Sequence, residues 1–235
     1  MTTDTSPGHG FKLLAFDFDG TLANSLGHIE EALNWALVHH GLRAIDGRQA
    51  REPIGLPLEV CFEHWITAAG GEPTPALVTQ LSASYRSKFE EILSQPNISE
   101  PLFPGVRSTL EALRHPEVHF AVVTGKDLRG LTNVINHHGL ADLFERNLQT
   151  PDTNASKPAP DMVFEAARQA GVDMADVVVV GDTTFDMMMA ENAGVTAIGV
   201  SYGYHDVTRL QLAGATLIID SFDQLPQALA KLKPQ

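Results

Sequence analysis

The apolar positions fall into two alternating kinds of run. One kind is short and nearly unbroken. LLAF starts at Leu13, HFAVV at His119, DVVVVG at Asp176, TAIGV at Thr196 and TLII at Thr216, and each is followed at once by Asp, Thr or Ser. Continuous apolar runs of this length predict strands covered on both faces, as in a parallel sheet. LFERNLQT (143–150) is read as a further strand, although it carries Glu145 and Arg146. The second kind has helical spacing, over residues 105–113, 129–138, 160–170 and 185–193. Pro160 opens the third segment, and Gly171 and Gly194 lie just past the last two, the Pro-first and Gly-last asymmetry of helices. Strands alternating with helices predict an α/β fold with a doubly wound, mostly parallel, Rossmann-like sheet.

One stretch breaks this rhythm. Residues 25–100 contain helical patterns at 28–40, 58–69 and 75–93 and no convincing strand; in the first, Ile29, Leu33, Ala36, Leu37 and His40 share a face. Pro96, Pro101 and Pro104 mark the return to the strand-and-helix pattern. The expected organisation is a polar tail (1–10), a core built from 11–24 and 101–235, and an all-helical domain inserted over 25–100.

Composition narrows the function. Hydrophobic residues make up 43% and charged residues 19% of the 235 positions, enough for a sizeable core. The net charge of −13 repels polyphosphate backbones and argues against nucleic-acid binding. It leaves room for a small phosphate ester, because a bound cation and one lysine reverse the sign locally. Cys61 is the single cysteine, so an intramolecular disulfide and a Cys-rich metal site are excluded. The start, MTTDTSPGHGFK, has no apolar signal-peptide core, and the apolar runs are too short to span a bilayer. The expectation is a cytoplasmic protein with neither membrane nor nucleic-acid partners; monomer and homodimer both fit.

The candidate chemistry sits at strand ends. In DFDGT, Asp17 and Asp19 lie two apart and so share a side, with Phe18 on the other. Two like charges held this close need a cation or a proton between them, and Mg²⁺ favours such oxygen donors. Carboxyl ends of parallel strands are also where open α/β sheets bind ligands. GDTTFD places Asp182 at another strand end and Asp186 in the first turn of the next helix, where a carboxylate also suits the helix dipole. VVTGK supplies Thr124 and Gly125, a hydroxyl and backbone N–H groups suited to phosphate oxygens. Thr124 also suits a helix cap. In SKPAPD, Lys157 precedes a Pro-started helix and can neutralise a phosphate or a carboxylate; by itself it also fits a solvated surface lysine.

Taken together, DFDGT, TGK, the lysine of SKP and GDTTFD resemble the four motifs of the haloacid dehalogenase-like hydrolase superfamily, in order and spacing, from residue 11 onward. The insert at 25–100 resembles the helical cap of its subfamily I. GDTTFDMMMAENAG, AIGVSYGYH and IDSFDQLP are most similar to its phosphoglycolate phosphatase-like members. The resemblance implies Asp17 as nucleophile, forming an aspartyl-phosphate, and Asp19 as general acid and base. It implies Mg²⁺ held by Asp17, the Asp19 carbonyl and Asp182 with Asp186 nearby, and phosphoryl oxygens held by Thr124, Gly125 and Lys157. Dehalogenases of the superfamily lack an aspartate at the second position, so Asp19 favours phosphoryl transfer.

Arg51, in AREPIGLPLEV, is similar to a cap loop that faces the site, where it could meet a substrate carboxylate or a second phosphate, and it equally fits an exposed loop arginine; Arg51 and Lys126 are the specificity candidates, and His205 is a rim residue. Cys61, Trp65 and Met187–Met189 are expected to pack. The expected reaction is Mg²⁺-dependent hydrolysis of a small phosphorylated metabolite, with 2-phosphoglycolate as first guess. A sugar-phosphate mutase of the beta-phosphoglucomutase type, a pyrophosphatase or nucleotidase, and a non-enzymatic binding protein are the alternatives.

Overall fold

The computed structural model describes residues 10–95, 100–144, 147–152, 154–232 and 234. In chain order the elements are β1 (Leu13–Phe16), α1 (Leu26–His39), α2 (Gly47–Arg51), α3 (Leu58–Ala68), α4 (Pro75–Leu93) and α5 (Val106–Leu113). These are followed by β2 (His119–Val123), α6 (Leu128–His137), α7 (Ala141–Phe144), β3 (Leu148–Gln149) and α8 (Asp161–Ala170). Then come β4 (Val177–Gly181), α9 (Thr184–Ala193), β5 (Thr196–Val200), α10 (Val207–Leu212), β6 (Leu217–Ile219) and α11 (Leu225–Lys231). The sheet has the order β3-β2-β1-β4-β5-β6, and its neighbours are parallel throughout.

The period-2 pattern of β1 builds both layers. Leu14 and Phe16 join a cluster with Val106 and Leu110 of α5, Leu131 and Ile135 of α6 and Leu229 of α11. Leu13 and Ala15 join the opposite cluster with Met162 and Ala166 of α8 and Met187 and Ala190 of α9. Burying apolar side chains on both faces leaves no solvated face, which is why these strands read as unbroken apolar runs. The sheet order reverses at β1, so the carboxyl ends of β2, β1 and β4 border the crevice where such sheets bind ligands.

Helices α1 to α4 form their own apolar cluster, with Leu33 and Leu37 of α1, Phe62 and Trp65 of α3, and Leu81 and Tyr85 of α4. Thr74 caps α4 by accepting from the Leu77 N–H, and Pro75 occupies its first turn. The two chain segments that connect this helical insert to the sheet run side by side: the Asn24 N–H donates to the Pro101 carbonyl at 2.8 Å and Phe103 N–H to Leu22 carbonyl at 2.9 Å.

The segment 143–150 is not one strand. Leu143 and Phe144 belong to α7, only Leu148–Gln149 is extended, and Glu145 and Arg146 lie outside the described residues. Leu140, Leu143 and Phe144 all enter the same cluster; successive residues of a strand would point to opposite faces. Helices α2, α10 and α11 have five to seven residues each, too short to show a periodic apolar pattern. The tail 1–9 and the return point at Pro96 lie outside the described residues. Among the described residues no helix is long and apolar enough to cross a membrane.

Candidate active site

Strand β1 delivers Asp17 directly into the crevice, with its N–H bonded to the Val180 carbonyl of β4 at 2.9 Å. Phe18 turns into the core, and the chain folds back through Leu22 and Ala23 N–H groups that both donate to the Phe18 carbonyl at 2.9 Å. Gly20 makes this turn possible. Its φ is +91°, and a Cβ there would clash with the carboxylate of Asp182.

Asp17, Asp182 and Asp186 offer carboxylate oxygens within 4.8 Å of one another, and all three side chains are buried. Asp182 is held on both sides: Oδ1 accepts from the Thr21 hydroxyl at 2.7 Å and Oδ2 from the Tyr204 N–H at 2.8 Å. Asp186 closes the capping box of α9, its Oδ2 accepting from the Thr183 N–H (2.9 Å) and hydroxyl (2.7 Å). Its other oxygen accepts from Lys157 Nζ at 2.6 Å. The same ammonium lies 2.8 Å from Asp17 Oδ1 as an ion pair. Neither Asp17 oxygen accepts a well-directed hydrogen bond among the described residues.

Three carboxylates against one ammonium leave the cluster over-charged. Burial pushes the Asp17 carboxyl up to about 7; Lys157 opposes the rise, and Asp186 and Asp19 add to it. Burial, then Asp17 and Asp186, raise Asp182 well above the carboxylate range. Burial works against the Lys157 ammonium, yet Asp17 and Asp186 hold its pKa above that of an ordinary lysine. Under-partnered oxygens in an oxygen-only set with excess negative charge fit a hard divalent cation such as Mg²⁺.

Asp19 is the second aspartate of this crevice. Lys126 Nζ donates to both of its oxygens, at 3.2 and 3.3 Å, and to Glu100 Oε1 at 2.8 Å. Burial disfavours this ammonium, but Asp19 and Glu100 more than offset it and its pKa is raised. Thr124, at the end of β2, is buried, and its hydroxyl accepts from the Lys126 N–H at 3.3 Å. Between them Gly125 meets the insert: a Cβ there would lie 2.6 Å from the Gly55 carbonyl oxygen and 2.8 Å from that of Leu56.

Asp17, Asp19, Thr124, Gly125 and Lys126 line one cavity of about 940 Å³, together with Tyr85 and Phe89 of α4 and the 54–57 loop. Lys157, Asp182 and Asp186 do not line it; Lys157 reaches Asp17 through the ion pair, and the two aspartates offer oxygens within 4.8 Å of Asp17. Arg51 is elsewhere. It ends α2, faces solvent and does not line the cavity; Gly55 and Leu56, further along the same loop, do. His205 is buried and bridges the halves, accepting from the Thr184 N–H at Nδ1 (3.0 Å) and lying 3.1 Å from the Glu52 carbonyl at Nε2. Cys61 is buried with its thiol on the Pro53 carbonyl at 3.1 Å, and burial raises its pKa. Met187 and Met189 pack in the core, whereas Met188 is exposed. Sequence reasoning missed Glu100, Thr21 and Tyr204. A charged residue beside the Pro101 linker is the one signal that pointed to Glu100; Thr21 and Tyr204 act through contacts no local pattern encodes.

A parallel sheet reversing at the carboxylate-bearing strand, with a helical insert, defines a Rossmann-like α/β core that carries a cluster of buried carboxylates at its strand ends. The family model described as haloacid dehalogenase-like hydrolase matches residues 14–200, and the chain belongs to that family. It is 35% identical over 225 residues to the probable phosphatase IndB of Dickeya dadantii (strain 3937), covering 94% of this chain and 95% of the relative. It is 30% identical over 214 residues to a phosphoglycolate phosphatase of Pectobacterium atrosepticum, covering 91% and 90%. A crystal structure of a predicted phosphoglycolate phosphatase from Haemophilus somnus 129pt superposes with a TM-score of 0.83 at 26% identity, covering 93% of this chain and 98% of that one. Within the family, the likeness is thus to phosphatases of the phosphoglycolate phosphatase type.

Proposed function

We propose that the chain hydrolyses a small phosphate monoester by way of an aspartyl-phosphate on Asp17. The observation that carries this reading is the division of labour between two aspartates of one cavity: Asp17 lies buried beside Lys157 with under-partnered oxygens, and Asp19 is held by Lys126.

In the first step an Asp17 oxygen attacks phosphorus, the ester P–O bond breaks, and Asp19 gives its proton to the departing alkoxide. In the second step water attacks the acyl phosphate, Asp19 takes the proton, and Asp17 is released. Lys157 offsets the nucleophile's charge and that of the phosphoryl oxygens. The Thr124 hydroxyl and the Gly125 N–H are the donors for those oxygens as charge redistributes. Asp17 and Asp182, with the Asp19 carbonyl and Asp186 close by, would hold Mg²⁺, which supplies positive charge to bring an anionic ester toward a carboxylate.

The first substrate to test is 2-phosphoglycolate, because the named relatives include phosphoglycolate phosphatases. The test is phosphate release with Mg²⁺ from 2-phosphoglycolate, sugar phosphates, nucleotides and pyrophosphate, beside Asp17→Asn and a chelator blank. Turnover of a monoester that both controls abolish is the expected result. Isomerised sugar phosphate without free phosphate would replace the phosphatase by a mutase.

A further inference from the structure

We propose that Glu100 is a positioning residue for the acid–base step, acting on Asp19 through Lys126. This rests on the reading of Asp19 as general acid and base.

Lys126 donates to three oxygens at once: both of Asp19 and one of Glu100. The Glu100 contact is the shortest of the three, at 2.8 Å. The ammonium is almost shut off from water, between the ring of Phe18 at 5.9 Å and that of Phe89 at 5.2 Å. With nearly equal distances to the two Asp19 oxygens, it fixes the plane of that carboxylate. An ammonium is a point charge on a flexible stem, so its own position must be fixed by something else.

Glu100 fixes it. Its side chain is 1% exposed, on the segment that returns from the insert to the sheet. Its carbonyl lies 2.7 Å from His138 Nε2, and the neighbouring Pro101 carbonyl accepts from Asn24. This anchors the backbone on two sides. A carboxylate serving only as structural ballast should have both oxygens satisfied, because an unpartnered buried acceptor is costly. Among the described residues Glu100 Oε2 has no well-directed hydrogen-bond partner, in a side chain that lines the reaction cavity. The arrangement sacrifices hydrogen bonding to hold a cation against the acid–base residue.

The experiment separates the two chemical steps in Glu100→Gln, Lys126→Met and the double variant. With p-nitrophenyl phosphate the leaving phenolate needs no proton, so the first step proceeds without Asp19. Water attack in the second step still requires it. Glu100→Gln should keep a fast burst of p-nitrophenol near one per enzyme, followed by steady-state turnover lowered at least about tenfold, part of the usual general acid–base contribution. On an alkyl phosphate kcat should fall similarly with KM little changed. The double variant should lose no more than Lys126→Met alone, since residues acting as a unit are not additive. A burst lost in parallel with turnover, an unchanged steady state, or losses that multiply would overturn the proposal. Absence of turnover in the unsubstituted protein would instead overturn the phosphatase reading, and this one with it.

Discussion

Gly125 and Gly55 meet backbone to backbone: a Cβ added at Gly125 would lie 2.6 Å from the Gly55 carbonyl oxygen. Gly125 does not have a positive φ, so its glycine is required by this approach and not by conformation. The contact sets how close the 54–57 loop comes to Asp19 and Thr124. Gly125→Ala should therefore push that loop off the cavity while leaving the sheet intact. The expected result is a fall in kcat/KM of about 100-fold, the scale of a 1 Å misplacement, with the thermal midpoint nearly unchanged. An alanine variant with full activity would show that the loop's approach is irrelevant to catalysis.

Among the described residues Lys157 is the single ammonium paired with Asp17 and Asp186, with contacts of 2.8 and 2.6 Å. Replacing it by methionine leaves the buried carboxylates uncompensated. Breaking a buried pair from one side costs roughly 3–5 kcal/mol, so Lys157→Met should shift the urea midpoint down by a matching amount and abolish turnover. Mg²⁺ should recover more stability in this variant than in the parent chain, because it replaces the missing positive charge. Equal midpoints for variant and parent would show that the carboxylates do not depend on the lysine.

The sequence revealed most of the frame because the frame obeys local rules. Unbroken apolar runs such as 177–180 are the central strands, and Pro160 and Gly171 punctuate α8 where expected. The strand-end carboxylates were legible because strand, glycine and aspartate are consecutive in the chain. Two things were not legible. Segment 143–150 has the composition of a poor strand, and only its three-dimensional partners make Leu143 and Phe144 helical. Arg51 lies close in sequence to the residues that line the cavity, but the cap formed by Asp46 and Gln49 builds a helix that leaves Arg51 in solvent. Glu100 needed the contact with Lys126, which follows β2 in the chain, to acquire meaning.

Asp182 gives a prediction of opposite sign. Its two oxygens are held by Thr21 and by the Tyr204 N–H, and burial with Asp17 and Asp186 raises its pKa. Its charge is thus a burden on the fold that is offset only when a cation is present. Asp182→Asn keeps the shape and removes that charge. Without divalent ions the variant should melt higher than the parent, and added Mg²⁺ should raise the parent's midpoint but not the variant's. A variant that melts lower in chelator and still gains from Mg²⁺ would remove Asp182 from the cation site.

His205 ties the insert to the sheet only as a neutral ring. Nδ1 accepts from the Thr184 N–H, so it carries no proton, and Nε2, 3.1 Å from the Glu52 carbonyl, must be the donor. Burial lowers its pKa below the ordinary 6.5, with Arg209 adding to the effect and Glu52 opposing it. A histidine with a depressed folded pKa contributes stability that is whole above 6.5 and is lost as pH falls through the folded value. Protonation would also turn Nδ1 into a donor facing the Thr184 N–H. The chain holds ten histidines, so the test is a difference: thermal midpoints of the parent and His205→Gln compared from pH 8 to pH 5. The parent should melt higher at pH 8, and the gap should close as the solution becomes more acidic. A gap that stays constant would mean that His205 does not titrate in this window, and a gap that widens toward acid would mean that the ring is held as a cation.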